Sequence, residues 1–308
     1  MRKTYFVFAV ILAVAMVLSA CAAPTAAPTT APVVPTEAPK PTEAPAAAEA
    51  PKPTEAPVAA VEPTAEPTAT PLPAQNPYVG SGLLDGNGVP GDFFADVHIR
   101  KAFAYAFDTD IVINDIYQGE AVPAPMIMLA GMPGFDQNFV RYSFDPEKSA
   151  EEFKLADVNK NGVAAGEDPE DVWEKGFRMT MLFNTGNTTR KVYAEILKEN
   201  LAAINPKFQI EIQELPWPSY LANQRAYRIP ILTGGWLEDI HDPHNWFQPY
   251  TTGTYGGRQS LPQDLKDQFQ VLLDKGVAET NVEARGKIYQ EAQQLYYDQA
   301  VGVPVSLV

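Results

Sequence analysis

The chain has 308 residues, is 45% hydrophobic and carries 38 acidic against 23 basic side chains, a formal net charge of −15. That acidity argues against nucleic acid or an anionic lipid surface as partner and is compatible with cationic or zwitterionic ligands. Cys21 is the single cysteine, which excludes an intrachain disulfide and a cysteine-based metal site.

The first segment reads as a secretory signal, residues 1–20. Arg2 and Lys3 form its positive region and Phe6 to Val17 its apolar run, which is short of the ~20 residues a membrane span needs. The run ends in LSAC, Leu18 to Cys21, which resembles the lipobox of bacterial lipoproteins. That resemblance implies that Cys21 is diacylated and becomes the first residue of the mature chain. Two acyl chains would anchor it firmly to a membrane, on the extracytoplasmic or periplasmic side of the cell envelope.

Residues 21–75 follow as a linker of alanine, proline, threonine, glutamate and valine, with PTEAP at 35–39, 41–45 and 53–57. Such closely spaced prolines block helix and sheet ladders, and the composition buries too little apolar surface to fold. A disordered, extended tether is expected, reaching on the order of 150 Å at ~3.1 Å per residue. Residues 76–308 hold nearly all the aromatics, enough chain for one substantial domain or two small ones.

Within that region Asp96 stands at an N-cap position before a helix over 97–107. Asp108 caps a second helix through Ile111, Ile113 and Ile116, closed by Gly119. Asp145, Pro146 and Glu147 open a third helix, each favoured at its position for a separate backbone reason. Phe177, Met179, Met181 and Phe183 alternate as a half-buried strand. A helix over about 188–204 carries Val192, Tyr193, Ile196 and Leu197, and Phe208, Ile210 and Ile212 alternate again. Residues 227–233 read as a buried strand, 261–275 and 281–300 as helices, and VGVPVSLV as a last short strand. Strands interleaved with helices give an α/β lobe.

Four segments, in order, resemble one family. RKAFAYAFDTDIVINDIYQGEAVPA is similar to the helix pair of the dipeptide, oligopeptide and nickel substrate-binding proteins of ABC importers, solute-binding family 5. FDPEKSAEEFKLA resembles that family's Y-D-P-E-K-A helix, GGWLEDIHDPHNW its G-W-x-x-D-x-x-D-P segment, and ARGKIYQEAQQLYYDQAVGVPV its closing helix and strand. Thr109 departs from the pattern, standing where the family has arginine. The resemblance implies one lobe of a periplasmic-binding-protein type II-like fold, a mixed sheet with flanking helices. The family's chains are roughly twice as long and close two lobes on a ligand, so this chain is expected to carry one jaw, the C-terminal lobe.

Carried over by the resemblance, Asp239 pairs with the terminal ammonium of a peptide-like ligand and Trp236 lines the same pocket. The chemistry agrees, since a desolvated ammonium needs a carboxylate and gains ~0.5–2 kcal/mol from an aromatic face. Asp242, before Pro243, reads as a turn former, and His241 and His244 as residues of a solvated loop, because Asp242-Pro243 is expected to interrupt any helix carrying both. DVNKNGVAAGED (157–168) fits two readings. Asp157, Asn159, Asn161 and Asp168 have the spacing of a weak calcium loop, and the same residues make a hairpin turn. No nucleophile motif or triad is evident, so catalysis is not expected. Ligand capture for an ABC permease is the function expected, with a tethered surface scaffold that no longer closes on ligand as the rival.

Overall fold

The computed structural model describes residues 75–307. The expected leader, Cys21 and nearly all of the proline-rich tether lie outside the described residues.

Asp96 caps helix α1 (Val97–Ala106), its Oδ1 accepting from the His98 and Ile99 amides at 2.7 and 3.3 Å. Its other oxygen accepts from Asp157 N at 2.9 Å, so one carboxylate starts the helix and ties it to a distant loop. Asp108 caps the short helix α2 (Thr109–Ile111), which widens into a π-helical turn over Val112–Ile116 and closes where Gly119, at φ 81°, returns its N–H to Ile113 O. Strand β1 is Val122–Pro123, and helix α3 (Pro146–Leu155) begins on the Asp145 cap as expected. A single turn α4 (Val172–Lys175) leads into β2 (Phe177–Asn184). Helix α5 (Thr188–Ile204) then crosses over to β3 (Phe208–Leu215), which pairs parallel with β2 from Phe177↔Phe208 to Asn184↔Leu215.

Helix α6 (Trp217–Arg225) follows, then a long irregular stretch, then α7 (Pro243–Thr251) and α8 (Thr254–Arg258). Two long helices, α9 (Gln263–Ala278) and α10 (Val282–Asp298), pack together. Gly276 lets them approach, since a Cβ there would sit 2.7 Å from Cζ of Tyr289. Strand β4 (Ser306–Leu307) pairs antiparallel with β1.

Three expectations need correcting. Among the described residues the strands form two separate two-stranded sheets, one parallel and one antiparallel, instead of a single mixed sheet. Residues 227–233 join neither. Tyr227 sits in a turn at φ 56°, Pro230 has no N–H to offer a ladder, and Ile229 and Thr233 are buried without strand pairing, Thr233 O accepting from the Tyr220 hydroxyl at 3.3 Å. Nor is β2 half-buried. Phe177, Met179 and Met181 face the main core while Leu182, on the opposite face, packs against Tyr78, Tyr220 and Ile229.

The main core joins α1, α3, β2 and β3 through phenylalanines: Phe177 stacks on Phe208 at 4.7 Å, and Phe153 lies 4.4 Å from Phe208. A second core, around Met128, Phe247, Phe269, Leu273, Tyr289 and Tyr296, lies between α7, α9 and α10.

Asp96 serves three backbone amides, so Asp96→Ala should destabilise the protein by about 2 kcal/mol, the upper end for a helix cap. Urea unfolding would show a lower midpoint with unchanged slope. An unchanged midpoint would mean that water replaces the carboxylate without loss.

Candidate functional site

The stretch 234–246 is held from both sides by polar contacts of Asp242, Asn245 and Glu238. Asp242 accepts from His244 N at 2.8 Å and so caps α7, with Pro243 at the first helical position. Pro243 thus opens the helix instead of interrupting it. The Asp242 carboxylate also receives Arg285 of α10 as a two-pronged pair, Nη1 to Oδ2 at 2.7 Å and Nη2 to Oδ1 at 2.9 Å. Arg285 also donates through Nε to Gly276 O at 2.7 Å, fixing its fork against the α9–α10 pair.

From that anchored helix, Asn245 reaches back to the loop. Its Oδ1 accepts from the indole Nε1 of Trp236 and from the backbone N–H of Asp239, both at 3.1 Å. One amide oxygen therefore sets the ring of Trp236 and the backbone of Asp239 relative to each other. Glu238 is held as firmly, accepting from Trp246 Nε1 at 3.0 Å and lying 3.0 Å from His241 Nδ1, contacts that keep its carboxyl below the usual range.

Trp236 is half-buried and meets Tyr255 edge to face, centroids 6.1 Å apart, while Tyr255 stacks on Tyr250 at 5.1 Å. Gly234 lies against both tyrosine rings. Asp239 is exposed, and among the described residues its carboxylate takes part in no side-chain hydrogen bond or ion pair. The arrangement is an aromatic wall with one uncommitted carboxylate on the same clamped loop. The two histidines do not share a setting. His241 is exposed beside Glu238, whereas His244, expected in a solvated loop, is half-buried in the first turn of α7.

A cavity of about 230 Å³ lies beside this loop. Its walls come from α1, β2, α5, residues 230–234, 259–262 and 300–305, and include Gly234 but neither Trp236 nor Asp239.

The 157–168 loop is brought together as hydrogen bonds of a turn. Asp157 accepts from Asn161 N and Gly162 N at 3.0 Å each, and Asn159 and Asn161 both donate their side-chain amides to Asp168 Oδ2 at 2.7 Å. The Glu170 amide, then the Asn159 side chain, hold the Asp168 carboxyl below its ordinary range. Among the described residues no group of three or more histidine, cysteine or acidic side chains is placed to share a metal ion.

The α/β arrangement, a helix crossing between parallel strands with an aromatic and acidic loop beside it, is similar to that of type II periplasmic binding proteins. Solved structures agree on that fold. The dipeptide-binding protein of Pseudoalteromonas sp. SM9913 in complex with Met-Leu superposes with a TM-score of 0.56 over 72% of this chain and 41% of its own, at 22% identity. The Helicobacter pylori DppA in complex with the peptide STSA gives 0.55 over 70% and 39%, at 22% identity. The chain belongs to the bacterial extracellular solute-binding proteins, family 5, whose middle region matches residues 47–258. Among its relatives are Heme-binding protein A of Haemophilus influenzae, 26% identical over 69% of this chain, and the dipeptide-binding protein of Escherichia coli, 25% identical over 67%. The chain spans only 37% and 36% of the length of those two relatives.

The anchor of the loop makes stability depend on pH. Burial lowers the His244 ring below its ordinary 6.5, with Arg285 adding to the effect against the pull of Asp242. For Asp242 burial acts to raise the carboxyl, but the Arg285 and His244 hydrogen bonds outweigh it and hold it below 3.8. Both groups bind protons more readily when unfolded, so stability is full above the unfolded values and falls as pH drops, first below 6.5 through His244 and then below 3.8 through Asp242. Melting temperatures between pH 7.5 and 5 should decline, and His244→Gln should flatten that decline. A variant that follows the wild-type slope would remove His244 from the account.

Proposed function

We propose that this chain supplies the ligand-holding lobe of an extracytoplasmic substrate-binding lipoprotein, capturing peptides or similar small cationic solutes for an ABC importer. Asp239 takes the ligand's ammonium and Trp236 provides the aromatic face beside it. Binding without chemistry is the whole task, and delivery is to a membrane permease. The lipid on Cys21 and the proline-rich tether hold the lobe to the envelope while letting it range over the surface.

The observation that carries this reading is the uncommitted Asp239 carboxylate, set by its own N–H on the Asn245 oxygen that also orients Trp236. Every other acid of the stretch already has a partner: Glu238 has Trp246 and His241, and Asp242 has Arg285. Names among the relatives, dipeptide- and oligopeptide-binding, fit a ligand with a free amino terminus. A second reading has one observation in its favour. Leu237 and Ile240, on either side of the acid pair, are 91% and 68% exposed, as suits a lobe that docks on a surface partner instead of a solute.

Titration calorimetry of the full chain with trialanine, N-acetyl-trialanine and the Asp239→Asn variant separates the two. Loss of one charge-assisted contact of ~1.5–3 kcal/mol should weaken binding roughly 10- to 150-fold. Acetylation and Asp239→Asn should have matching effects. Binding indifferent to both changes would displace the ammonium site, and no binding of any peptide would favour the docking lobe.

A further inference from the structure

The cavity of about 230 Å³ has a composition that the ammonium site does not use. Phe94, Phe103, Phe107, Met181 and Val303 line it, and Arg100 stands among these apolar groups. Arg100 is only 9% exposed. Its Nε donates to Gln299 O at 2.7 Å, Nη1 to Phe94 O and Ala95 O at 2.7 and 2.8 Å, and Nη2 to Gln299 Oε1 at 3.3 Å. All four acceptors are neutral, and no ion pair among the described residues includes Arg100. Of the two Nη2 hydrogens one is used, and at the longest of these distances. The guanidinium is largely withdrawn from water and its hydrogen-bond acceptors are all neutral; the Asp96 and Asp264 carboxylates act on it only through space, so a directly bonded anion would still be favoured.

We propose that this cavity is a binding site for a small monocarboxylic acid with an apolar body, its carboxylate received by Arg100. Size sets the body. An apolar cavity of about 150 Å³ admits benzene, so the present volume takes a ring with a short chain. The wall's phenylalanines suit an aryl or branched alkyl group. Charge sets the head. With a net charge of −15 the protein offers no long-range attraction to anions. A polyanion such as a phosphate ester is therefore disfavoured, and a single carboxylate carried in by its apolar body is the ligand that fits. Entry lies where the wall reaches solvent at the exposed residues Gly234 and Ser260. The site does not depend on the ammonium reading.

The test uses the full chain and 3-phenylpropionate, with 3-phenylpropanamide as the neutral analogue of the same shape. Calorimetry should show the acid binding at least tenfold more tightly than the amide, and the Met181 methyl resonance, assigned through Met181→Leu, should shift with the acid. Val303→Trp, which fills the cavity, should abolish binding, and Asp239→Asn should leave it unchanged. Equal affinity for acid and amide would overturn the assignment to Arg100. Acid binding that leaves the Met181 methyl unmoved, or the absence of acid binding altogether, would overturn the site, and neither depends on how Val303→Trp folds.

Discussion

The candidate face of this protein hangs on one carboxylate, Asp242. It caps α7 through its short bond to His244 N and takes the forked guanidinium of Arg285 from α10. Without it the first turn of α7 would have an unsatisfied amide and Arg285 a half-buried charge with no mate. Because Asn245 lies three residues on, in the same turn, the placement of Trp236 and Asp239 depends on where that turn sits. The acid therefore organises a site it does not enter. Its neighbour in sequence role, Asp239, has the opposite character and owes its availability to having no structural duty for its side chain.

How much of this was readable in advance follows from the range of each interaction. Asp96, Asp108 and Asp145 all cap helices as their positions suggested, because a cap needs only the next three residues. The second helix was foreseen but not its change to a π turn. The helix expected from Leu261 starts at Gln263, since Pro262 occupies the cap position. The strand expected at 227–233 failed for a different reason. Of its apolar residues Ile229 is buried while Tyr227 is exposed, and a strand needs a neighbour's backbone, about which apolar run length says nothing.

The candidate site divides along the same line. Trp236 and Asp239 were picked out by resemblance, and both lie on the clamped loop. Asn245, Tyr255 and Arg285 were not. The Arg285–Asp242 pair spans 43 positions, and no local pattern announces it. Asn245 could have been suspected as a polar residue in the first turn of a helix, where side chains have unpaired amides nearby to answer. Arg100 was visible only as part of a motif, and its burial among neutral acceptors is a fact of the tertiary packing.

The failed strand has a mechanical consequence. Residues 227–233 approach the site without ladder bonds, whereas the far end of the loop is riveted to α7. A tilt of that helix would swing the indole and the Asp239 backbone together, like a blade fixed at its handle. On such a mount the ring and the loop backbone travel as one piece, and the acid's side chain alone is left to adjust.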